Sequence, residues 1–494
     1  MHNFFKQFSN HDFHKETAAF IVCSLLAIPC FSEKKQSGIT YPSRPLDTLL
    51  MQSAAINDTG RWGYLNGHDP SIYKDGDTYW IFSSDVAVGR APTQGLQVRT
   101  SKDLVNWTYA GTALDGIPKA AEDYSGASTL WAPDVIKLGR KYYLYYAASK
   151  MGSQTSCICY AVADTISGPW TDKGIIYKSD YTSDENAIDP CVFFDNDKKL
   201  WMVYGSFFDG IHLMKMDETT GLPAESGPGK IIATRGDRAG AGEEGPYIIY
   251  NPQFKKYYLF VSYDSLSSDY NIRVGRADNV EGPYYDITGQ KMTDYPYSDD
   301  VPDDVEIIAA NVGYKLMGGF AFKNGEGWAA PGHNSVLNDN GEWYVVHHAR
   351  IERDHNWAFL NVRKLLWSDD GWPMASPERY AGEKEQKIPE ESVNGKWELV
   401  KHERCAIMDA VSKEADFMPD KSITGAYTGS WEKDGDYGMK LTIADEDGNK
   451  AEIKGKLLPS WDWENGRPCI VFTGIDADGQ AWWAKRTRKL STKK

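Results

Sequence analysis

The stretch KKLWMVYGS at residues 198–206 decides the fold, because the chain repeats its pattern five times. A turn rich in Gly, Asp, Asn or Lys is followed by two bulky residues, usually aromatic, and then by an apolar strand. The other copies are GDTYWIFSS at 76–84, RKYYLYYAAS at 140–149, KKYYLFVSY at 255–263 and GEWYVVHHA at 341–349. The alternation within each copy is typical of half-buried β-strands.

The spacing of the copies predicts a β-propeller. Their aligned aromatic residues lie at intervals of 63, 58, 57 and 86 residues, at Trp80, Tyr143, Trp201, Tyr258 and Tyr344. Regular β-units of this size are typical of propellers, in which each repeat forms one four-stranded blade. We therefore predict an all-β chain with a five-bladed propeller. The alternative is a β-sandwich whose aromatic strands are similar by chance.

A short strand precedes each copy, and these strands read HDPSIY, WAPDVI, IDPCVF, EGPYII and GHNSVL. In a propeller the first strand of each blade lines the central channel, so equivalent residues meet near one axis. The residues at the equivalent position are Asp69, Ala132, Asp189, Glu244 and His333.

Three carboxylates and one imidazole at equivalent positions indicate catalysis. Carboxylates that crowd in a channel push their pKa values apart. Glycoside hydrolysis needs one carboxyl that donates a proton to the leaving oxygen and one ionised carboxylate that takes a proton from water. The alternative is that each acid caps a turn, since Asp-Pro is a common turn dipeptide.

The charge of the chain excludes several classes of partner. Its 494 residues include 54 Lys and Arg against 69 Asp and Glu, which gives a net charge of −15. Nucleic acids and anionic membranes attract Lys and Arg and are therefore disfavoured. A neutral sugar polymer is indifferent to this charge, and the aromatic share of 13% favours flat binding surfaces for sugar rings.

The N-terminal segment predicts export. The apolar run TAAFIVCSLLAIP after Lys15 is too short to span a bilayer but suits a signal peptide. Cys30 follows it and offers a lipidation site, although Pro29 suits a lipoprotein peptidase poorly. Plain secretion and a buried N-terminal helix stay open as alternatives. The five later cysteines are scattered and predict neither a disulfide framework nor a zinc site.

We predict five units from these patterns: a signal peptide at 1–30, a linker at 31–58, the five-bladed propeller at 59–378, a polar linker at 379–394 and a small C-terminal β-barrel or sandwich at 395–494. Tight Asp-Gly turns between strands indicate the last unit. Its four late tryptophans could bind sugar, but core packing is the simpler interpretation; they are Trp461, Trp463, Trp482 and Trp483.

The chain resembles glycoside hydrolase family 43, most closely its endo-arabinanase branch, which has a two-domain type with a C-terminal β-barrel. The resemblance covers about residues 60 to 375 and rests on GHDPSI, WAPDV, NAIDPCVFFDNDKKLWMVYGSFFDGI, EEGPYI, NIRVGRA, GHNSV and VRKLLWSDDGWP. It implies an inverting hydrolase that cleaves α-1,5-L-arabinofuranosidic bonds in plant cell-wall arabinan or arabino-oligosaccharides. We expect no transmembrane span, and we expect a monomer.

The resemblance also implies catalytic roles. Asp69 would be the general base that activates water, and Glu244 the general acid, with its neighbour Glu243 as the alternative. Asp189 would orient the acid and raise its pKa, since a nearby carboxylate disfavours ionisation. Inversion requires the base and the acid to stand roughly 6.5–9.5 Å apart, which leaves room for water.

His333 resembles the family's metal-associated histidine, which implies one calcium ion in the propeller channel with His333 as its only direct protein ligand. Calcium prefers oxygen ligands, so a histidine bonded to a carboxylate without a metal is the alternative. The resemblance also implies sugar contacts, each of which could instead serve packing: Trp131 as a stacking platform, and Asn186, Ser206 and Phe207.

Two rival functions stay open. The first is another activity of the same family, an exo-acting α-L-arabinofuranosidase or a β-xylosidase, which differs in loop length at the channel mouth. The second is a non-catalytic propeller that binds carbohydrate, against which the complete acid set argues.

Overall fold

The computed structural model describes residues 38–46, 62–86, 93–235, 242–294, 312–323, 325–352, 354–404 and 409–488. The predicted signal peptide, the lipidation site at Cys30 and most of the predicted N-terminal linker lie outside these residues. Strands dominate the described part, whose two helices are α1, Lys119–Ser125, and a 3-10 turn at Glu390–Ser392. Neither described helix has the length and apolar character needed to cross a bilayer.

Four antiparallel sheets of four strands follow one another along the chain. The first two contain β1 (Ser71–Asp75), β2 (Thr78–Ser83), β3 (Gln97–Ser101) and β4 (Thr108–Thr112), then β5 (Leu130–Leu138), β6 (Lys141–Ala148), β7 (Ser156–Ala163) and β8 (Thr171–Ser179). The next two contain β9 (Cys191–Phe194), β10 (Leu200–Tyr204), β11 (Ile211–Met216) and β12 (Lys230–Ala233), then β13 (Glu243–Asn251), β14 (Lys256–Tyr263), β15 (Asn271–Ala277) and β16 (Tyr314–Met317).

The C-terminal region is a closed barrel of eight strands, which confirms the predicted barrel and excludes the sandwich. Its strands are β22 (Gly395–His402), β24 (Lys413–Phe417), β25 (Ser422–Gly425), β26 (Tyr427–Asp434), β27 (Gly438–Asp445), β28 (Lys450–Asp462), β29 (Arg467–Asp476) and β30 (Ala481–Arg488). Strand β22 pairs with both β24 and β30 and closes the barrel. All four late tryptophans are buried, so they serve core packing as expected.

The fifth repeat lies in a six-stranded sheet, so the prediction of five four-stranded blades is wrong: the described residues hold four such sheets. Its strands are β17 (Phe320–Ala321), β18 (Trp328–Asp339), β19 (Glu342–Ile351), β20 (Asp354–Trp367), β21 (Pro373–Ala375) and β23 (Ala410–Val411). Their order in the sheet is β21-β20-β19-β18-β17-β23. The physical reason is that two short strands extend the sheet: β17 pairs antiparallel with β18, and β23, which lies between β22 and β24 in the chain, pairs parallel with β17.

The sheets stand in a propeller-like ring. Strand β1 contacts β5, β5 contacts β9, β9 contacts β13, β13 contacts β18, and β18 returns to β1. These are the short strands that precede the five sequence repeats, and the repeats themselves form the second strands β2, β6, β10, β14 and β19. The ring therefore brings the beginnings of the five inner strands together, as the spacing predicts.

Candidate active site

Four of the five positions predicted to line the channel share a left-handed backbone. They are Asp69, Ala132, Asp189 and His333, with φ of 49°, 43°, 58° and 47°. In the fourth sheet Gly245 has this conformation, with φ of 58°, and Glu244 precedes it. The predicted alignment of the inner strands is therefore wrong by one residue in the fourth sheet, where Gly245 and not Glu244 is the equivalent residue. The residue directly before the proline or asparagine is the equivalent one in every strand.

The left-handed residue marks a break in strand pairing. The register of β5, β13 and β18 against their neighbours shifts at this point. Such bulges re-aim side chains, and left-handed residues that carry a Cβ are strained and concentrate at functional sites. A Cβ on Gly245 would lie 3.0 Å from the His333 ring, so glycine lets the two strands approach closely.

Asp69 is surrounded by imidazole rings. Its Oδ1 lies 2.9 Å from Nδ1 of His68, 3.1 Å from Nδ1 of His333 and 3.6 Å from Nδ1 of His348. Ser84 donates a hydrogen bond of 2.5 Å to its Oδ2. Burial raises the pKa of Asp69, but the facing His333 and His68 outweigh burial and hold it well below its usual range. The ionised form, which can accept a proton, is therefore favoured.

Asp189 is buried beside the other two carboxylates. Its Oδ2 accepts a hydrogen bond of 3.1 Å from the N–H of Gly245. Burial raises the pKa of Asp189 well above its usual range, and repulsion from the Glu244 and Asp69 carboxylates raises it further. The predicted effect of Asp189 on the pKa of the acid stays a prediction, and the raised pKa in the structure is that of Asp189 itself.

Glu244 is held through both carboxyl oxygens. The Tyr270 hydroxyl donates to Oε1 at 2.7 Å, and the Ser206 hydroxyl donates to Oε2 at 2.8 Å. The side chain is only half-buried. Its neighbour Glu243 is buried, and both oxygens of that carboxyl accept the N–H of Arg235, at 3.0 and 3.1 Å. This contrast favours Glu244 over Glu243 as the reactive carboxyl.

Of the four residues predicted to contact sugar, Ser206 contacts the Glu244 carboxyl directly. Trp131 is half-buried and directly precedes Ala132 in β5. Asn186 is buried, and its Oδ1 has no hydrogen-bond partner among the described residues. Ser206 donates a hydrogen bond to Oε2 of Glu244. The half-buried Phe207 covers Gly242, where a Cβ would lie 2.2 Å from the phenyl ring.

Sequence reasoning missed three rings that connect the carboxylates. His68 stacks on His348 with ring centroids 3.9 Å apart and an interplanar angle of 16°, and His348 stacks on Tyr270 at 5.8 Å and 24°. Two of them carry a signal in the sequence, because His68 precedes Asp69 and His348 lies in the fifth repeat. Tyr270 lies between β14 and β15, outside every repeat, and carries no such signal.

The predicted calcium ligand faces a carboxylate. Nδ1 of His333 lies 3.1 Å from Oδ1 of Asp69, which is the contact of the metal-free alternative, so a cation would use the other ring nitrogen. Within the described part of the chain, a separate group with ligand atoms within 4.8 Å of one another is formed by His68, Asp69 and His348. Calcium takes oxygen ligands, so a group of two imidazoles and one carboxylate is a poor direct calcium site. The surroundings do fit a hydrated cation, since Asp69 and Asp189 can accept hydrogen bonds from its water molecules.

Comparison with known proteins gives matches over both parts of the chain. The family model described as glycosyl hydrolases family 43 matches residues 64–373, and a C-terminal lipocalin-like domain model matches residues 377–484. An extracellular endo-α-(1→5)-L-arabinanase of Thermotoga petrophila is 35% identical, over 87% of this chain and 95% of that protein. Extracellular endo-α-(1→5)-L-arabinanase 2 of Bacillus subtilis is 34% identical, over 85% and 92%. The crystal structure of endo-1,5-α-L-arabinanase from Thermotoga petrophila matches with a TM-score of 0.77 at 33% identity, over 86% of this chain and 99% of that one.

Proposed function

This chain belongs to glycosyl hydrolases family 43 and is a glycoside hydrolase, and on that premise we propose that it hydrolyses α-1,5-linked L-arabinofuranosyl bonds within arabinan. The observation that carries the proposal is the meeting of Asp69, Asp189 and Glu244 where the inner strands begin. Similarity to endo-arabinanases over most of the chain supports arabinan as the substrate.

Asp69 is the general base of the proposed reaction. Its ionised carboxylate accepts a proton from a water molecule while that water attacks the anomeric carbon. The imidazoles of His68 and His333 stabilise the negative charge and fix the position of Oδ1. Water attacks from the face opposite the leaving group, so the configuration at the anomeric carbon inverts.

Glu244 is the general acid and protonates the oxygen of the leaving arabinosyl unit. Its two hydrogen bonds, from Tyr270 and Ser206, hold the carboxyl in one orientation. Asp189 is the neighbouring carboxyl that orients the acid in this proposal, and burial together with repulsion from the Glu244 and Asp69 carboxylates raises the pKa of Asp189 itself well above its usual range.

The product profile on linear arabinan tests the endo proposal. We expect the first products to be oligosaccharides of several lengths, because internal cleavage cuts the polymer at many places, and we expect viscosity to fall before reducing sugar accumulates. Chromatography of early time points checks this. Release of single arabinose units from the first time point would instead support the exo-acting alternative, and cleavage of nitrophenyl xyloside alone would support the β-xylosidase.

Calcium bound through His333 is proposed from the resemblance. The ion would supply positive charge beside Asp69 and Asp189. We expect a chelator to lower the melting temperature and added calcium to restore it, with a stabilisation of about 2.7 kcal/mol at 100 times Kd. His333→Ala should abolish the response, and the partly exposed His355 offers a control in His355→Ala. A melting temperature indifferent to both chelator and calcium would support the metal-free alternative.

Export is proposed because both relatives are named extracellular and residues 1–30 have the pattern of a signal peptide. The protein should be recovered from the medium or from a membrane fraction of cells that express the full chain. Lipid attached to Cys30 would place it in the membrane fraction, and Cys30→Ser would then release it. Recovery from the cytoplasm alone would contradict export.

A further inference from the structure

Tyr270 is locked in place beside Glu244. It is fully buried, and its hydroxyl donates to Oε1 of Glu244 at 2.7 Å. Its backbone N–H donates to the carbonyl of Ser265 at 2.9 Å. The ring lies against Gly332, where a Cβ would come within 1.9 Å of Cδ1. The ring therefore fits only because residue 332 is glycine.

Tyr270 is also connected to Asp69, the proposed base, through two histidine rings. Tyr270 stacks on His348, which stacks on His68. His348 accepts the backbone N–H of Asp69 through Nδ1 at 3.2 Å, and His68 contacts the Asp69 carboxylate at 2.9 Å. A continuous series of three rings thus runs from the carboxyl of Glu244 to both the backbone and the carboxylate of Asp69.

From this geometry we infer that Tyr270 is a positioning residue, which fixes the Glu244 carboxyl relative to Asp69 through the ring stack. The inference rests on the proposed function. An inverting hydrolase needs a defined separation between base and acid. Flat rings in contact resist compression and bending, so they set this separation more firmly than two unsupported side chains would.

The consequence for the reaction depends on the leaving group. An arabinosyl oxygen is a poor leaving group and needs a proton from a well-oriented acid. A 2,4-dinitrophenolate leaves without protonation. Loss of the Tyr270 hydroxyl should therefore slow the hydrolysis of arabino-oligosaccharides but not that of dinitrophenyl glycosides. General damage to the site would slow the hydrolysis of both.

The test is Tyr270→Phe, which keeps the ring and the stack but removes the hydrogen bond. Misplacement of a reacting group costs up to about 10²-fold in rate, so we expect kcat on an arabino-oligosaccharide to fall about 10-fold to 100-fold. On the 2,4-dinitrophenyl glycoside of the same oligosaccharide kcat should stay close to that of the wild type. An equal fall on both substrates, or no fall on the oligosaccharide, would overturn the inference.

The matched control is Tyr263→Phe. Tyr263 is also buried, but its hydroxyl has no hydrogen-bond partner among the described residues, so this change should leave the dependence on leaving group unaltered. A second variant, Gly332→Ala, keeps the phenol but displaces its ring, and it should reproduce the Tyr270→Phe signature. A Gly332→Ala enzyme that folds and lacks this signature would argue against the stack as the spacer.

A double-variant cycle asks whether Tyr270 acts through Glu244. In a Glu244→Gln background the change Tyr270→Phe should cause no further loss, because the group that it positions is already absent. The same additional loss in both backgrounds would contradict the inference. If the wild-type enzyme fails to cleave arabinan, the proposed function fails. If the wild type cleaves it and Tyr270→Phe shows no leaving-group dependence, only the positioning role fails.

Discussion

Glu244→Gln should lower kcat on linear arabinan by at least about 10²-fold and leave the fold intact. Glutamine has the same shape and still accepts the Tyr270 hydrogen bond, but it has no proton to donate to the leaving oxygen. The loss should be small on a 2,4-dinitrophenyl glycoside, which leaves without protonation. Steady-state kinetics on both substrates, with the melting temperature as the check on folding, measure this.

Glu243→Gln is the matched control, because the adjacent carboxyl is the alternative acid. Burial raises the pKa of Glu243 to about 8, so this group is already neutral at pH 7 and a glutamine imitates it. One glutamine oxygen suffices to accept the N–H of Arg235. We expect nearly wild-type turnover from this variant. The reverse outcome, with Glu243→Gln inactive and Glu244→Gln active, would transfer the acid role to Glu243.

Much of the ring could be predicted from the sequence, because each repeat carries its own turn and aromatic pair. The regular intervals between Trp80, Tyr143, Trp201 and Tyr258 reflect one sheet per repeat, and the sheet order follows the chain order. Equivalent positions in such a ring face one axis. For this reason Asp69 and Asp189 could be placed together although 120 residues separate them in the chain.

The fifth unit could not be predicted in the same way. Its extra strand β23 pairs parallel with β17, and Phe320 lies opposite Ala410. Two-residue strands have no detectable periodicity, and a pairing across this distance in the chain is decided by how the barrel packs. Local patterns therefore predict the antiparallel strands β18 and β19 but not the six-stranded sheet that contains them.

The one-residue error at Glu244 has a related origin. The sequence pattern predicts that the acidic residue nearest to the proline is the equivalent one, whereas the left-handed backbone lies at Gly245. Four of the five equivalent residues adopt this torsion without being glycine, so residue type alone does not reveal it. The stack of His348 on Tyr270 depends on a loop conformation, which residue type does not reveal either.

Asp69→Asn should also lower kcat on arabinan, by about 10²-fold to 10⁴-fold, because the amide cannot take a proton from the attacking water. The backbone should tolerate the change, since asparagine adopts left-handed φ more readily than most residues and φ is 49° here. The loss should be equally large on a dinitrophenyl glycoside, because water activation is required whatever leaves. This independence of the leaving group distinguishes the base from the acid.

Azide provides the decisive measurement for this variant. Azide is a nucleophile that needs no base, so it should restore turnover in Asp69→Asn and form an arabinosyl azide of inverted configuration. The new bond joins azide nitrogen to the anomeric carbon, and the leaving oxygen departs with the proton from Glu244. Azide should give no such rescue to Glu244→Gln on arabinan, where the leaving oxygen remains unprotonated. An azide product of retained configuration would contradict the inverting mechanism, and wild-type turnover by Asp69→Asn without azide would contradict its role as the base.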